Sequence, residues 1–223
     1  MNRIEHLKET LPHNIELISK FDAELVLVNY DSKDNMDEYV TGNYKDYLSN
    51  KTIKYIRIYN KKFFDRFHAK NISHRFTSGD ILVNLDVDNF LTEDVILFIL
   101  SKFSENMNFI LQYTHKYNEG FIAISKENFF KLGGYIEEMK NWGYEDNDLI
   151  IRAKKYLNCE FISIDEELVS FINHSVEMRE DNLEGKEKGE NSYHFNISVS
   201  HQYLEQNILS PNLHNNVDWG QIK

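Results

Sequence analysis

The chain has 223 residues, of which 41% are hydrophobic and 13% aromatic, so its composition supports one domain with a proper core and excludes a disordered chain. Its formal net charge of -11 argues against a nucleic-acid partner, while an acidic site for a divalent cation is compatible with it. A single cysteine excludes an internal disulfide, and no apolar run is long enough to span a bilayer. We therefore expect a cytoplasmic protein, either free or peripheral at the inner face of the membrane.

The first half of the chain alternates helical patterns with apolar strands. Helical spacing in residues 4–21 predicts a helix that Pro12 kinks or divides. Further along, strands are predicted at Leu25–Tyr30, 52–59 and 81–85, and a helix is predicted at 64–77. The polar residues 31–35 read as a loop.

The second half continues the alternation. Thr92 is expected to cap a helix that runs to Phe103, and a short helix from Ser125 is expected to stop at Gly133-Gly134. The remaining predicted elements are strands near 109–113, 120–124 and 161–165 and a helix near 145–157. This order favours an α/β fold, with a mixed, mostly parallel sheet flanked by helices. The charged segment 177–190 is predicted to be a loop or a mobile flap.

Asp86 and Asp88 stand at the end of the apolar strand 81–85. Residues i and i+2 of a strand point to the same face, so the two carboxylates can converge on one point. Carboxylates at the carboxyl end of a strand suit Mg²⁺ or Mn²⁺, and open α/β sheets bind ligands at these ends. A D-x-D pattern alone is weak, and a solvated acidic turn is the alternative interpretation.

A second acidic group follows Trp142-Gly143, where Glu145, Asp146 and Asp148 crowd the start of a predicted helix. Acids in a first turn often serve only as partners of the helix dipole. The crowding costs repulsion unless a metal or substrate hydroxyls relieve it, so a carboxylate here could act as a general base toward a substrate hydroxyl.

His174 follows the apolar residues Phe171 and Ile172. A lone histidine is more often structural than a ligand. A neutral imidazole nevertheless complements two carboxylates around Mn²⁺.

With these three features in order, the sequence resembles GT-A glycosyltransferases of the family 2 type, with a β-1,4-galactosyltransferase-like C-terminal half. The resemblance runs from about residue 14 to 180. It rests on the motifs LVLVNYDSKDN, FDR at 64–66, AKN at 69–71, ILVNLDVDNFL, the stretch GFIAISKENFFKLGGYIEEMKNWGYEDNDLIIRA at 120–153, and FINHS at 171–175. It implies that 1–180 form the GT-A domain, with 181–223 as a loop and tail that pack on it.

The resemblance also assigns roles by position. It implies metal ligation by Asp86, Asp88 and His174 and a catalytic base at Asp146, with Glu145 beside it. The residues expected to contact the donor or the acceptor are Asp31, Arg66, Asn71, Asp86, Gly120 and Trp142. The implied cofactor is Mn²⁺ or Mg²⁺, the implied donor a nucleoside diphosphate sugar, with UDP favoured, and the acceptor a glycan or glycolipid.

The sequence departs from the pattern of these galactosyltransferases at three points. Phe171 stands where they place a methionine ligand, and Asn147 replaces the third acid after Glu145-Asp146. These enzymes also have a buried strand ahead of the residues that match Met1–Arg3, so we expect a central strand to be missing from these 223 residues or to lie upstream of Met1.

We therefore expect an inverting, metal-dependent hexosyltransferase, assigned to polysaccharide biosynthesis by analogy alone. The alternatives are a non-catalytic GT-A module that binds a glycan or a protein, and a sugar nucleotidyltransferase. The last needs a Gly-rich basic loop near the N-terminus, and residues 1–35 contain no glycine.

Overall fold

The computed structural model describes residues 1–114, 120–164, 168, 170–173, 182–184 and 190–222. The helices are α1 (Ile4–Ile18), α2 (Met36–Asn43), α3 (Lys45–Ser49), α4 (Arg66–Arg75), α5 (Glu93–Glu105), α6 (Lys126–Lys131), α7 (Glu145–Leu157), α8 (Glu190–Glu205) and α9 (Pro211–His214). The strands are β1 (Leu25–Tyr30), β2 (Ile53–Ile58), β3 (Ile81–Val83), β4 (Asn89–Phe90), β5 (Phe109–Tyr113), β6 (Ile122–Ser125), β7 (Glu160–Ile164) and β8 (Ser170–Phe171).

The largest sheet has the strand order β3-β6-β5-β7. β6 runs antiparallel to both of its neighbours, whereas β5 and β7 are parallel. Successive residues of its central strands enter different cores: Ile110 joins the core under α6 and α7, and Leu111 joins the core under α5. A sheet buried on both faces by helices confirms the predicted α/β class. The sheet is mixed, as expected, but two of its three strand pairings are antiparallel, because β6 runs against both neighbours, so the expectation of a mostly parallel sheet is wrong here.

The strands β1 and β2 form a separate parallel pair. A cavity of about 1040 Å³ lies between this pair and β3, and it is lined by consecutive residues of both strands, 25–28 of β1 and 81–83 of β3. Because successive side chains of a strand alternate between its faces, a cavity lined by consecutive residues follows the strand edges. Within the described part of the chain, no strand fills this space between β1 and β3.

Several local expectations are confirmed. The Thr92 side chain accepts a hydrogen bond from Val95 N, and the Ser125 side chain accepts one from Asn128 N, so both cap their helices. Gly133 and Gly134 follow α6 with φ angles of 69° and 71°, which only glycine adopts without strain.

Other expectations are wrong or incomplete. α1 continues through Pro12 as one helix, and the strand predicted at 81–85 already ends at Val83. The helices α2 and α3 were not predicted, and α8 arises from a tail that the sequence left unassigned. Of the predicted flap 177–190, only residues 182–184 and 190 lie within the described residues. Among the described residues, no helix combines the length and the apolar character that a bilayer crossing requires.

Candidate active site

Asp86 and Asp88 lie in a turn that follows β3, and both line the cavity. Asn89 N donates to the Asp86 carbonyl at 3.0 Å, which closes the turn. Thr10 of α1 donates to the Val87 carbonyl at 2.7 Å and anchors the turn from the other side. The expectation that both carboxylates sit on a strand is therefore wrong, because β3 ends before Asp86. A turn still presents them to the cavity.

The segment that leads to His174 runs beside this turn. Phe171 pairs with Asn89 in the antiparallel pair β4–β8, and Ile172 N donates to the Asp88 carbonyl at 2.8 Å. The chain therefore reaches Asp88 just before residue 174. His174 itself lies outside the described residues, so its role as a metal ligand stays a prediction.

Glu145 and Asp146 begin α7, at another wall of the same cavity. Their side chains are 3% and 14% exposed. Tyr144, immediately before them, has a φ of 72°, and this left-handed residue turns the chain from the Trp142-Gly143 loop into the helix. Two adjacent carboxylates are thereby held in a largely enclosed site, where their charges require compensation.

Two cations on α4 supply this compensation. Lys70 Nζ lies 2.9 Å from Asp146 Oδ1 and 3.2 Å from Glu145 Oε1, and Arg66 Nη1 lies 3.5 Å from the same Glu145 oxygen. Residues four apart share one face of a helix, so α4 presents both cations together. Lys70 lies in the AKN motif at 69–71, in which the resemblance implies a role only for Asn71. Its i, i+4 spacing from Arg66 on a predicted helix was the available signal.

The two carboxyls differ in acidity. Burial alone would raise the pKa of Glu145, but the charges of Lys70 and Arg66 outweigh burial and lower this pKa to about 2. Burial also raises the pKa of Asp146, and there the net shift stays upward, since Glu145 and Asp86 add to it and Lys70 only opposes it. A carboxylate with a raised pKa is a stronger base, so Asp146 is the better proton acceptor of the two.

Gly120 lies between the two acidic groups. A β-carbon placed on Gly120 would lie 3.0 Å from Asp86 Oδ2 and 3.6 Å from Asp146 Oδ2. Asn84 holds the backbone here by donating to the Gly120 carbonyl at 2.7 Å. The absence of a side chain at position 120 therefore allows Asp86 and Asp146 to approach one another.

The acidic turn fits a hard divalent cation. No described side chain donates a hydrogen bond to the Asp86 carboxylate, which is exposed to the cavity. Carboxylate oxygens are the ligands that Mg²⁺ and Mn²⁺ prefer. Within the described residues, no group of three or more potential ligands is preassembled around one point.

The other predicted contact residues divide into two sets. Arg66, Gly120 and Trp142 line the cavity, whereas Asp31 and Asn71 do not. Asn71 is fully buried and bonds the backbone of Tyr135, accepting from its N at 2.8 Å and donating to its carbonyl at 2.9 Å. Asn71 thus braces the turn after α6, and it does not reach the cavity because it lies on the inward face of α4. Asp31 accepts from Lys61 N at 2.9 Å.

Comparison with known sequences gives one partial match. Residues 99–175 match a protein family described as the N-terminal domain of galactosyltransferase. This stretch contains Gly120, Trp142 and both carboxylates at the start of α7. No curated protein matches the sequence.

Solved structures share the fold. The mannosyltransferase PcManGT from Pyrobaculum calidifontis, in complex with GDP-Man and Mn²⁺, has a TM-score of 0.61 at 16% identity over 74% of this chain and 52% of its own. GalNAc-T7 with UDP, GalNAc and Mn²⁺ has a TM-score of 0.62 at 16% identity over 77% of this chain and 41% of its own. TarS 1-349 from S. aureus, in complex with UDP-GlcNAc, has a TM-score of 0.58 at 12% identity over 78% of this chain and 58% of its own.

These likenesses establish a GT-A fold that contains a galactosyltransferase-like region. The chain spans about half the length of these structures.

Proposed function

We propose that this protein is an inverting glycosyltransferase, which moves a sugar from a nucleoside diphosphate donor to a hydroxyl of a glycan. The observation that carries the proposal is the approach of Asp86 and Asp146 to one another across Gly120 in one cavity. A group that holds the donor diphosphate and a group that activates the acceptor have to be separated by no more than about the length of one sugar residue, because the transferred sugar lies between them. Acidic groups without a common function would not be expected to converge at Gly120, because their charges repel one another.

In the proposed sugar transfer, Asp146 is the general base. Its carboxylate takes the proton from the acceptor hydroxyl, whose oxygen forms a bond to the anomeric carbon of the donor sugar. The bond from that carbon to the diphosphate breaks, and its electron pair leaves with the diphosphate. Attack on the face opposite the leaving group inverts the anomeric centre. Glu145 keeps its negative charge and holds Lys70 and Arg66 in place beside the base.

Asp86 and Asp88 would hold the divalent cation, with His174 as the third predicted protein ligand. When bound, such a cation neutralises negative charge on the leaving diphosphate. The largely apolar Trp142-Gly143 loop also lines the cavity and would limit the access of water to the activated donor.

The proposed class of donor is taken from solved structures of similar fold. Structures with this fold hold GDP-Man, UDP and UDP-GlcNAc, and two of the three also hold Mn²⁺. We therefore propose a nucleoside diphosphate sugar as donor and test UDP first. The acceptor is proposed to be a glycan or a glycolipid.

Titration calorimetry with UDP, with and without Mn²⁺, tests the donor half of the proposal. Binding that requires Mn²⁺ and is lost in Asp88→Asn is expected. A screen of UDP-, GDP- and CDP-sugars for slow hydrolysis then identifies the donor. No binding of UDP, GDP or CDP, with Mn²⁺ or with Mg²⁺, contradicts the proposal.

A non-catalytic GT-A module is the second candidate, and one observation favours it. The facing edges of β1 and β3 lack a strand between them among the described residues, beside the wall where the nucleotide would bind. Such a module would bind a glycan without nucleotide or metal, so the same calorimetry separates the two functions.

A further inference from the structure

Two aromatic side chains of the loop that leads to Asp146 lie close to a third aromatic side chain from α8. The Trp142 and Tyr193 rings have centroids 6.4 Å apart and planes inclined by 36°. Tyr144 meets Tyr193 edge to face, with centroids 5.6 Å apart. All three line the cavity that contains Asp146 and are partly exposed. Tyr193 comes from α8, in the tail to which the sequence assigned no role.

α8 holds this loop in a fixed position. Asn196 donates to the Gly143 carbonyl at 2.8 Å and to the Lys140 carbonyl at 3.0 Å, and it accepts from Lys140 N at 2.8 Å. A β-carbon on Gly143, whose φ is 92°, would lie only 2.7 Å from Tyr193 Cδ2. Tyr193 therefore packs directly on the backbone of the loop. This packing and the hydrogen bonds of Asn196 together set its position relative to Trp142.

We propose that Tyr193 is an acceptor-binding residue and forms, together with Trp142, an aromatic platform on which the terminal sugar ring of the acceptor packs. The inference rests on the proposed function, since it places that ring within reach of Asp146. A pyranose ring has an apolar face of C–H groups and a polar rim of hydroxyls. Aromatic rings offer a large, rigid apolar surface to such a face, and a cavity that also contains carboxylates binds the hydroxyls.

The charges around the platform favour a neutral sugar. The three rings line the same cavity as the carboxylates of Asp86 and Asp146. The cations of this wall, Arg66 and Lys70, are already paired with Glu145 and Asp146. A negatively charged terminal sugar would add charge beside the two aspartates, so a neutral terminal hexose or N-acetylhexosamine is the class that fits.

Saturation-transfer NMR with methyl β-D-glucoside, methyl β-D-galactoside and methyl N-acetyl-β-D-glucosaminide tests the aromatic platform, in the presence of UDP and Mn²⁺. We expect at least one of these sugars to bind, with the strongest transfer to the C–H protons of one ring face. Tyr193→Phe keeps the ring and should keep the affinity. Tyr193→Leu keeps an apolar side chain but removes the ring, and it should weaken sugar binding about tenfold, as expected for the loss of one aromatic contact.

Phe195→Ala is the matched control, because Phe195 is an exposed aromatic residue on the same helix that does not line the cavity. It should leave sugar binding unchanged. UDP affinity should be equal in all variants, which separates a role in acceptor binding from a general role in loop packing. Unchanged sugar affinity in Tyr193→Leu overturns the inference. The inference is also overturned if the wild-type protein binds UDP but none of the sugars. If the wild-type protein binds neither UDP nor sugar, the proposed function is overturned as well.

Discussion

Asp86 and Asp146 come from opposite ends of the sequence that forms the sheet, yet each places its Oδ2 atom within 4 Å of one β-carbon position at Gly120. Asp86 is delivered by the turn after β3, and Asp146 by the first turn of α7. The separation of these two carboxylates defines the space in which a donor sugar and an acceptor hydroxyl would meet.

Gly120→Ala should lower kcat about a hundredfold, because the added methyl group pushes between the two carboxylates and reacting groups tolerate displacements of less than about 1 Å. Thermal unfolding should shift little, since the far ends of two side chains can yield. Gly42→Ala is the control, because a β-carbon there meets nothing within 4 Å. Equal activity in the two variants would argue against a shared site.

Asp146→Asn should reduce the rate of transfer by about 10²- to 10⁴-fold, the usual contribution of a general base, while UDP binding with Mn²⁺ persists. Steady-state transfer to the best sugar acceptor measures the first effect, and calorimetry measures the second. Asp94→Asn is the control, because it removes a first-turn carboxylate from α5 at a position that does not line the cavity. Full activity of Asp146→Asn would assign the base elsewhere.

The rate of transfer should fall at low pH, since burial raises the pKa of Asp146 and the base acts only when it is deprotonated. Lys70 opposes this rise by stabilising the carboxylate. Lys70→Met should therefore shift the acid limb of the pH–rate profile to higher pH, and Lys70→Arg should shift it less. The profile of kcat against pH checks the prediction, and a shift to lower pH in Lys70→Met would contradict it.

Arg152→Met should destabilise the fold by about 3–5 kcal/mol, because it leaves the Asp148 carboxylate buried without its cation. Arg152 Nη2 lies 2.6 Å from Asp148 Oδ2, both side chains are at most 1% exposed, and the guanidinium also donates to the Leu132 and Gly134 carbonyls. Denaturant unfolding measures the loss. Lys131→Met, which breaks an exposed ion pair with Glu127, should change the midpoint very little.

The regular elements could be predicted wherever local chemistry decides them. The caps at Thr92 and Ser125 and the glycine turn after α6 each depend on residues within a few positions of one another. α8 lacked such signals. Its role depends on contacts with the Trp142-Gly143 loop, and those contacts are distant in sequence.

At the site, too, packing decided what neighbouring residues in the sequence could not indicate. Asn71 and Lys70 are neighbours in one motif, and the sequence assigned a contact with the donor to Asn71. A helix turns by about 100° per residue, so neighbouring side chains face different directions. Packing of α4 against the turn after α6 directs Asn71 into the core and Lys70 into the cavity.

By itself, the sequence determined the α/β class, the pair of acids after an apolar strand and the acidic start of α7, because each depends on residues that are close together in the chain. The tertiary structure alone decided that Asp86 and Asp146 meet across Gly120, that Lys70 compensates the buried acids, and that Tyr193 joins the cavity. Those relationships depend on how helices rotate and pack against the sheet, and the free energy of such packing is shared among contacts that are distant in the chain.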